Sequence, residues 1–350
     1  MHSVLKPLRD ATAPRRSERV MQYTWINRLK KWNISGERGS MDRVHRDRIS
    51  VVIPLYNHAR FIGDAVDSVL RQGSIIRELI VVDDGSDDES AAVMRGIKQH
   101  DPRIVFWSQP NRGAHVAINS GLWRATGDLM AILNSDDVYA PTRLTNLANE
   151  LDADQSADIA ASGVSFINTA GQPVSNSWYD GALDYFKQCR DIGLALVNGN
   201  FLMTTSNFLF RRRLLDEIGY FAPLRYAHDL DFALRALANR KRFILAEESL
   251  LSYRIHDSNT ISQNHTEVRR EWAIVTAAFL AALWHRGPVD SGYAHALEAI
   301  LEQHKLTLAV HLCMIYSGHR GGDTLEHSPL LLDPKFRAFL IESLQSRSCS

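Results

Sequence analysis

Leu129-Met130-Ala131-Ile132-Leu133-Asn134-Ser135-Asp136-Asp137 joins an apolar run to two adjacent carboxylates. The run reads as a buried strand. Paired acids at its end place hard oxygen ligands at the carboxyl edge of a sheet, where open α/β folds bind their ligands. Such oxygens suit Mg²⁺ or Mn²⁺, and a metal of that kind usually serves a phosphate group. Asn, Ser and Asp also build plain solvated turns, so the stretch alone leaves both readings open.

Working outward, strands and helices alternate. Ser50-Val51-Val52-Ile53-Pro54 is a β-branched run bounded by charge and proline. Phe61, Ile62, Ala65, Val66, Val69 and Leu70 then recur at helical spacing within 60–72. Glu78–Val82 and Arg103–Trp107 read as strands around a helix at 87–99, and a helix at 113–125 leads into a strand at 128–133. This order predicts a parallel sheet with helices on both faces. Further strands are expected at 158–167 and 204–210, with an irregular stretch over 168–203 of the length that is usually functional or partly ordered by ligand. From about 265 the chain reads as helical, broken at Gly287-Pro288. The expected division is a leader at 1–48, a working domain at 49–262 and a helical extension at 263–350.

A chain of 350 residues is long enough for one large α/β domain with an appendage, or for two domains. Lys+Arg and Asp+Glu balance at 40 each, yet residues 1–48 carry 12 Lys/Arg against 5 Asp/Glu. A basic leader is either a flexible tail or a contact with an anionic membrane surface, and Trp25–Trp32 is too short to decide between them. Cys189, Cys313 and Cys349 lack CxxC or metal-ligand spacing, which fits a reducing compartment. No apolar core follows the leader's basic residues, so a signal peptide is not expected. The longest apolar run, Trp272 to Trp284, is short of a bilayer span. The expected location is the cytoplasm, with peripheral contact at the inner membrane face as a further option. No aromatic-lined basic platform supports a nucleic-acid partner.

A second strand tip, Val81-Val82-Asp83-Asp84-Gly85-Ser86, again ends in two acids. The loop after the first strand, Pro54-Leu55-Tyr56-Asn57-His58-Ala59-Arg60, contains no glycine. That speaks against a GxGxxG dinucleotide site, a Walker loop and a sugar nucleotidyltransferase. What remains is a nucleotide site made of strand-end acids and a metal, with acids from successive tips sharing one cleft.

Val51–Asn57, Val81–Ser86, Asn111-Arg112-Gly113 with Asn119, and Asn134–Asp137, in this order over 49–262, resemble the family 2 glycosyltransferases of GT-A fold. The resemblance implies an α/β protein with a mixed sheet flanked by helices, followed here by a C-terminal helical extension. Pro54 and Tyr56 resemble the residues flanking the uracil and ribose. Asp83 resembles the acid that hydrogen-bonds the base, with Asp84 near the ribose. Asp137 resembles the metal-binding acid, and Asp136 lies near the ribose and donor sugar. Arg112 either reaches the diphosphate or sugar or is merely solvated, while Asn119 is expected to fix local backbone.

Tyr226-Ala227-His228-Asp229-Leu230-Asp231-Phe232 resembles the family's acidic motif on the acceptor side, with His228 where Glu is usual and Asp229 at the base position. The same acids also suit a helix N-terminus. Ser252-Tyr253-Arg254-Ile255-His256 is similar to the segment ending many related domains, which makes His256 a candidate metal ligand or diphosphate contact. Imidazole suits Mn²⁺ better than Mg²⁺. The Gln-x-x-Arg-Trp motif of processive relatives is absent.

The resemblance therefore implies an inverting, single-addition transferase dependent on a divalent metal. Its donor is a nucleotide-diphosphate sugar, a UDP-sugar first among them. Its acceptor is a glycan or lipid-linked glycan of cell-surface polysaccharide or glycolipid synthesis. An inactive nucleotide-sugar-binding module and a nucleotidyltransferase are the rivals. The apolar stripe of Trp272, Val275, Phe279, Leu280 and Leu283 suits a membrane, a second subunit of a homo-oligomer, or its own domain.

Overall fold

The computed structural model describes residues 47–257, 259, 264–284, 286 and 289–319. The leader through residue 46, with its Trp25–Trp32 segment, lies outside the described residues, as do Gly287-Pro288 and Cys349.

A mixed sheet organises the chain. Its strands are β1 (Ile49–Leu55), β2 (Ile76–Asp83), β3 (Ile104–Ser108), β4 (Leu129–Ile132), β5 (Val138–Tyr139), β6 (Ile159–Ile167), β7 (Pro173–Val174), β8 (Leu209–Arg211) and β9 (Phe243–Arg254). They run in the order β3-β2-β1-β4-β8-β6-β9-β5, with β7 paired to β6. β1, β2, β3 and β4 are parallel, whereas β8 is antiparallel to both β4 and β6. β1 is buried along its whole length, as a strand covered on both faces should be. Register aligns the strand ends: Leu55 pairs with Asp83, and Asp83 with Ser108. The acid-bearing tips therefore emerge at one edge.

The helices are α1 (Ile62–Leu70), α2 (Ser90–Lys98), α3 (Ala114–Arg124), α4 (Arg143–Ala153), α5 (Ser177–Cys189), α6 (Ile192–Asn198), α7 (Arg213–Ile218), α8 (His228–Ala238), α9 (His265–Trp284), α10 (Ser291–Gln303) and α11 (Thr307–His319). Alternation along β1 sends Val51 and Ile53 into a core with α1 and α4, and Val52 into a second core with α3. Gly121 allows α3 its close approach, because a Cβ there would lie 2.4 Å from Val52 Cγ1.

The segment 168–203 differs from expectation. It holds β7, α5 and α6 rather than an irregular loop. Asn176 caps α5 by accepting from the Tyr179 N–H, and Tyr179, Ala182 and Phe186 face the core. The stretch expected as a strand at 204–210 is a 3₁₀ turn at Thr205–Asn207 followed by the short β8. The apolar stripe of α9 packs on its own chain: Val275, Phe279 and Leu280 are buried, and Trp272 Nε1 donates to the Val197 carbonyl at 3.1 Å. Among the described residues no helix is long and apolar enough to cross a membrane.

Candidate active site

A cavity of about 1000 Å³ opens at the aligned strand tips. One wall comes from the parallel strands. Pro54 and Tyr56 border it at the end of β1, with Tyr56 exposed. Next to them Asn57 has φ 52°, a left-handed conformation that Asn tolerates. Asn57 Oδ1 accepts from the Asp87 N–H, tying the β1 tip to the β2 tip.

At the β2 tip the two acids diverge. Asp84 borders the cavity and accepts from the N–H groups of Arg112 (3.1 Å) and Gly113 (2.7 Å) and from Gln109 Nε2 (2.9 Å). Asp83 is buried, accepts from the Ser86 N–H at 3.1 Å, and is not a cavity residue. Gly85, directly after them, has φ 74°, and a Cβ there would lie 2.8 Å from the Asn111 nitrogen. Only glycine lets this turn close onto the loop carrying Arg112.

The β4 tip divides its acids the other way round. Asp137, the expected metal ligand, turns inward. Its Oδ2 accepts from the Ser206 hydroxyl at 2.6 Å and its Oδ1 from the Arg254 N–H at 3.0 Å. Burial, then the neighbouring Asp136 charge, pushes its pKa well up. Asp136 faces the cavity, its Oδ2 2.9 Å from His256 Nε2. His58 completes a cluster with Asp136 and His256 whose ligand atoms all lie within 4.8 Å of one another. Arg254 fixes this turn, donating from Nε to the Asp136 carbonyl at 2.8 Å and pairing through Nη2 with Asp64.

A helical wall of the same cavity carries Asp229, in the first turn of α8. Its Oδ2 accepts from Asn200 Nδ2 at 2.9 Å and its Oδ1 from the Leu230 N–H. Burial outweighs those bonds and pushes its pKa up to about 6. Asp231 points elsewhere, into a buried ion pair with Arg235 at 2.8 Å. His228, at the position where Glu is usual, also borders the cavity, and burial lowers its pKa. Arg112 lines the cavity and is exposed. Asn119 does not line it; its amide exchanges two hydrogen bonds with the Phe221 backbone.

Three residues at or beside the cavity were not singled out from the sequence, His58 and Glu271 lining it and Asn200 behind Asp229. His58 was legible in principle, as an imidazole in the loop at the β1 tip. Asn200 supports Asp229 from a segment expected to be irregular. Glu271, on α9, accepts from the N–H groups of Arg225, Tyr226 and Ala227 at 3.0, 2.7 and 3.0 Å, and no motif marks it.

The His58–Asp136–His256 cluster fits a divalent cation. Two imidazoles and one carboxylate form a mixed nitrogen–oxygen donor set, which suits Mn²⁺ better than Mg²⁺. Burial lowers the His58 pKa, favouring the neutral ring that a ligand requires.

Comparisons with known proteins agree with this architecture. The family model described as Glycosyl transferase family 2 matches residues 50–219. YwdF of Bacillus subtilis, an uncharacterized glycosyltransferase, is 30% identical over 192 residues, covering 54% of this chain and 68% of the relative. An uncharacterized glycosyltransferase of Nostoc sp. is 29% identical over 219 residues, covering 61% and 66%. Two solved structures share the fold. S. aureus TarS 1-349 in complex with UDP-GlcNAc aligns with a TM-score of 0.53 at 19% identity, covering 85% of this chain and 89% of that one. The mannosyltransferase PcManGT from Pyrobaculum calidifontis, in complex with GDP-Man and Mn²⁺, gives 0.53 at 19%, covering 90% and 88%. With its mixed sheet, flanking helices and C-terminal helices, the chain belongs to glycosyl transferase family 2 and has a GT-A-type fold.

Proposed function

We propose that this chain transfers one sugar from a nucleotide-diphosphate sugar to an acceptor hydroxyl, with inversion at the anomeric carbon. One observation carries the reading: Asp84, the His58–Asp136–His256 cluster and a buried Asp229 of raised pKa border a single cavity. The ligands in the TarS and PcManGT structures, UDP-GlcNAc and GDP-Man with Mn²⁺, support a nucleotide-sugar donor.

In this reading Pro54 and Tyr56 flank the base and ribose. Asp84, rather than Asp83, offers its remaining lone-pair capacity to the nucleoside, since Asp84 is the acid at the cavity. Asp136 and His256, joined by His58, would hold the metal; Asp137 instead fixes the turn that presents Asp136. A divalent ion bound there supplies Lewis-acid stabilisation of the departing diphosphate. Arg112 adds positive charge at the same wall. Asp229 takes the acceptor proton on Oδ1 or Oδ2 while the acceptor oxygen attacks opposite the leaving group. A pKa near 6 keeps the base ionised at neutral pH yet basic enough to accept a proton. One displacement suffices, without a covalent intermediate.

The test is a panel of UDP- and GDP-sugars with and without Mn²⁺, read by thermal stabilisation and by nucleoside diphosphate release. Metal-dependent stabilisation with release of UDP or GDP supports the proposal. Stabilisation without release, to water or to an added glycan acceptor, indicates a binding module, and pyrophosphate release from a nucleoside triphosphate indicates nucleotidyl transfer. A glycan or lipid-linked glycan acceptor, and a role in cell-surface polymers, belong to this proposal and are checked by product analysis.

A further inference from the structure

We infer that Glu271 of the C-terminal helices is a positioning residue for the base, acting by clamping the backbone at 225–227 against α9. The inference rests on the assignment of Asp229 as base.

Both carboxylate oxygens of Glu271 are committed. Oε1 accepts from the Arg225 N–H, and Oε2 from the N–H groups of Tyr226 and Ala227. These donors directly precede α8, whose first turn carries Asp229. The N–H of a cap residue lacks an intrahelical partner, and its usual side-chain acceptor stands three residues on. Here that position is Leu230, which has no side-chain oxygen, and the acceptor for the Ala227 N–H comes from 44 residues further on. Glu271 is itself buried, and Arg270 Nη2 lies 3.7 Å from its Oε1. The clamp therefore belongs to a packed region rather than a surface pair. Asn200 holds Asp229 from the other side. The geometry leaves Glu271 to set where α8 begins, and hence where the base carboxylate stands. It also makes the C-terminal helices part of the active site rather than an appendage.

Glu271→Gln and Glu271→Ala are compared with Asp229→Asn and wild type in the full chain. Hydrogen exchange of peptides spanning 225–230 is expected to speed at least about 10-fold in Glu271→Gln, with peptides over 109–115 and 134–137 unchanged. Turnover, followed as nucleoside diphosphate release from UDP-GlcNAc, UDP-glucose and GDP-mannose, is expected to fall about 10-fold in Glu271→Gln and about 100-fold in Glu271→Ala, the scale of a small misplacement of a reacting group. Calorimetric affinity for UDP with Mn²⁺ should stay within about twofold of wild type, as a catalytic-geometry loss requires. Unchanged exchange at 225–230 in Glu271→Gln overturns the inference. So does a loss of UDP affinity parallel to any loss of turnover, which marks a general structural role. If Asp229→Asn is inactive while both Glu271 variants turn over normally, the clamp fails and the base assignment stands. If Asp229→Asn is fully active, the base assignment fails and takes the clamp with it.

Discussion

Asp84 on the strand-tip wall receives two backbone N–H groups and a glutamine amide, while Asp229 on the helical wall receives one asparagine amide and the N–H of its own neighbour. The strand-tip wall is assembled from local turns between register-locked parallel strands. The other wall is a helix start held by a side chain from a helix 44 residues further along. Donors on both oxygens fix the orientation of Asp84, whereas at Asp229 burial outweighs the hydrogen bonds and leaves the carboxylate basic. The first wall is thus suited to holding a charged ligand still. The second is suited to exchanging a proton.

The largest test of this division is Asp229→Asn. Turnover is expected to fall by about 10²–10⁴-fold, the range for a lost general base, with UDP affinity unchanged by calorimetry. The same variant should be more stable than wild type at pH 8. With a folded pKa of about 6 against the usual 3.8, this group favours the native state below 3.8, and that stability is lost as pH rises through 6. The difference is on the order of 3 kcal/mol and is read as a higher Tm at pH 8 but not at pH 3.5.

The β4 tip sharpens the contrast within one wall. Asp136→Ala should weaken Mn²⁺-dependent UDP binding by more than the roughly 100-fold that outer-shell changes reach. Asp137→Ala should instead cost about 2 kcal/mol of stability, because it leaves the Arg254 N–H and the Ser206 hydroxyl without their acceptor. Denaturant titration and calorimetry on the same pair separate the two effects. If Asp137→Ala abolished metal binding while Asp136→Ala did not, the assignment of Asp136 would be wrong.

A smaller effect is expected with pH. A base must be unprotonated, and the Asp229 pKa is raised, so turnover should rise with pH and level off above about 6. At one unit below, the ionised fraction is down roughly 10-fold. A rising limb centred near 4 would show that the second wall does not desolvate its acid. Smallest of all is Arg112→Ala, an exposed cation on the strand-tip wall. It should raise the donor KM by less than about 10-fold and leave kcat unchanged, since solvent screens such charges.

The strands of the first wall are legible because continuous Val/Ile runs and following helical periods can be counted. Val51–Ile53, Val81–Val82 and Leu129–Leu133 each lie in or run out of a buried strand. The helix at Ser177–Cys189 carried a legible period too, in Tyr179, Ala182 and Phe186, but its Asn and Gly neighbours suggested a loop. α6 was harder, since Leu194-Ala195-Leu196-Val197 is apolar on every side and has no face to count. The candidate metal cluster draws on His58, Asp136 and His256 from three distant loops, so spacing alone could not assemble it.

Residue order by itself determined the alternation, the acids at the strand tips and Asp229 at a helix start, because propensity and periodicity act over a few neighbours. Tertiary structure decided which acid of each pair meets the cavity. Asp137 turns inward because Arg254, 117 residues away, and Ser206 complete its hydrogen bonds there. Adjacent carboxylates are chemically identical in a sequence. Only the partners that the fold brings to each one make them different.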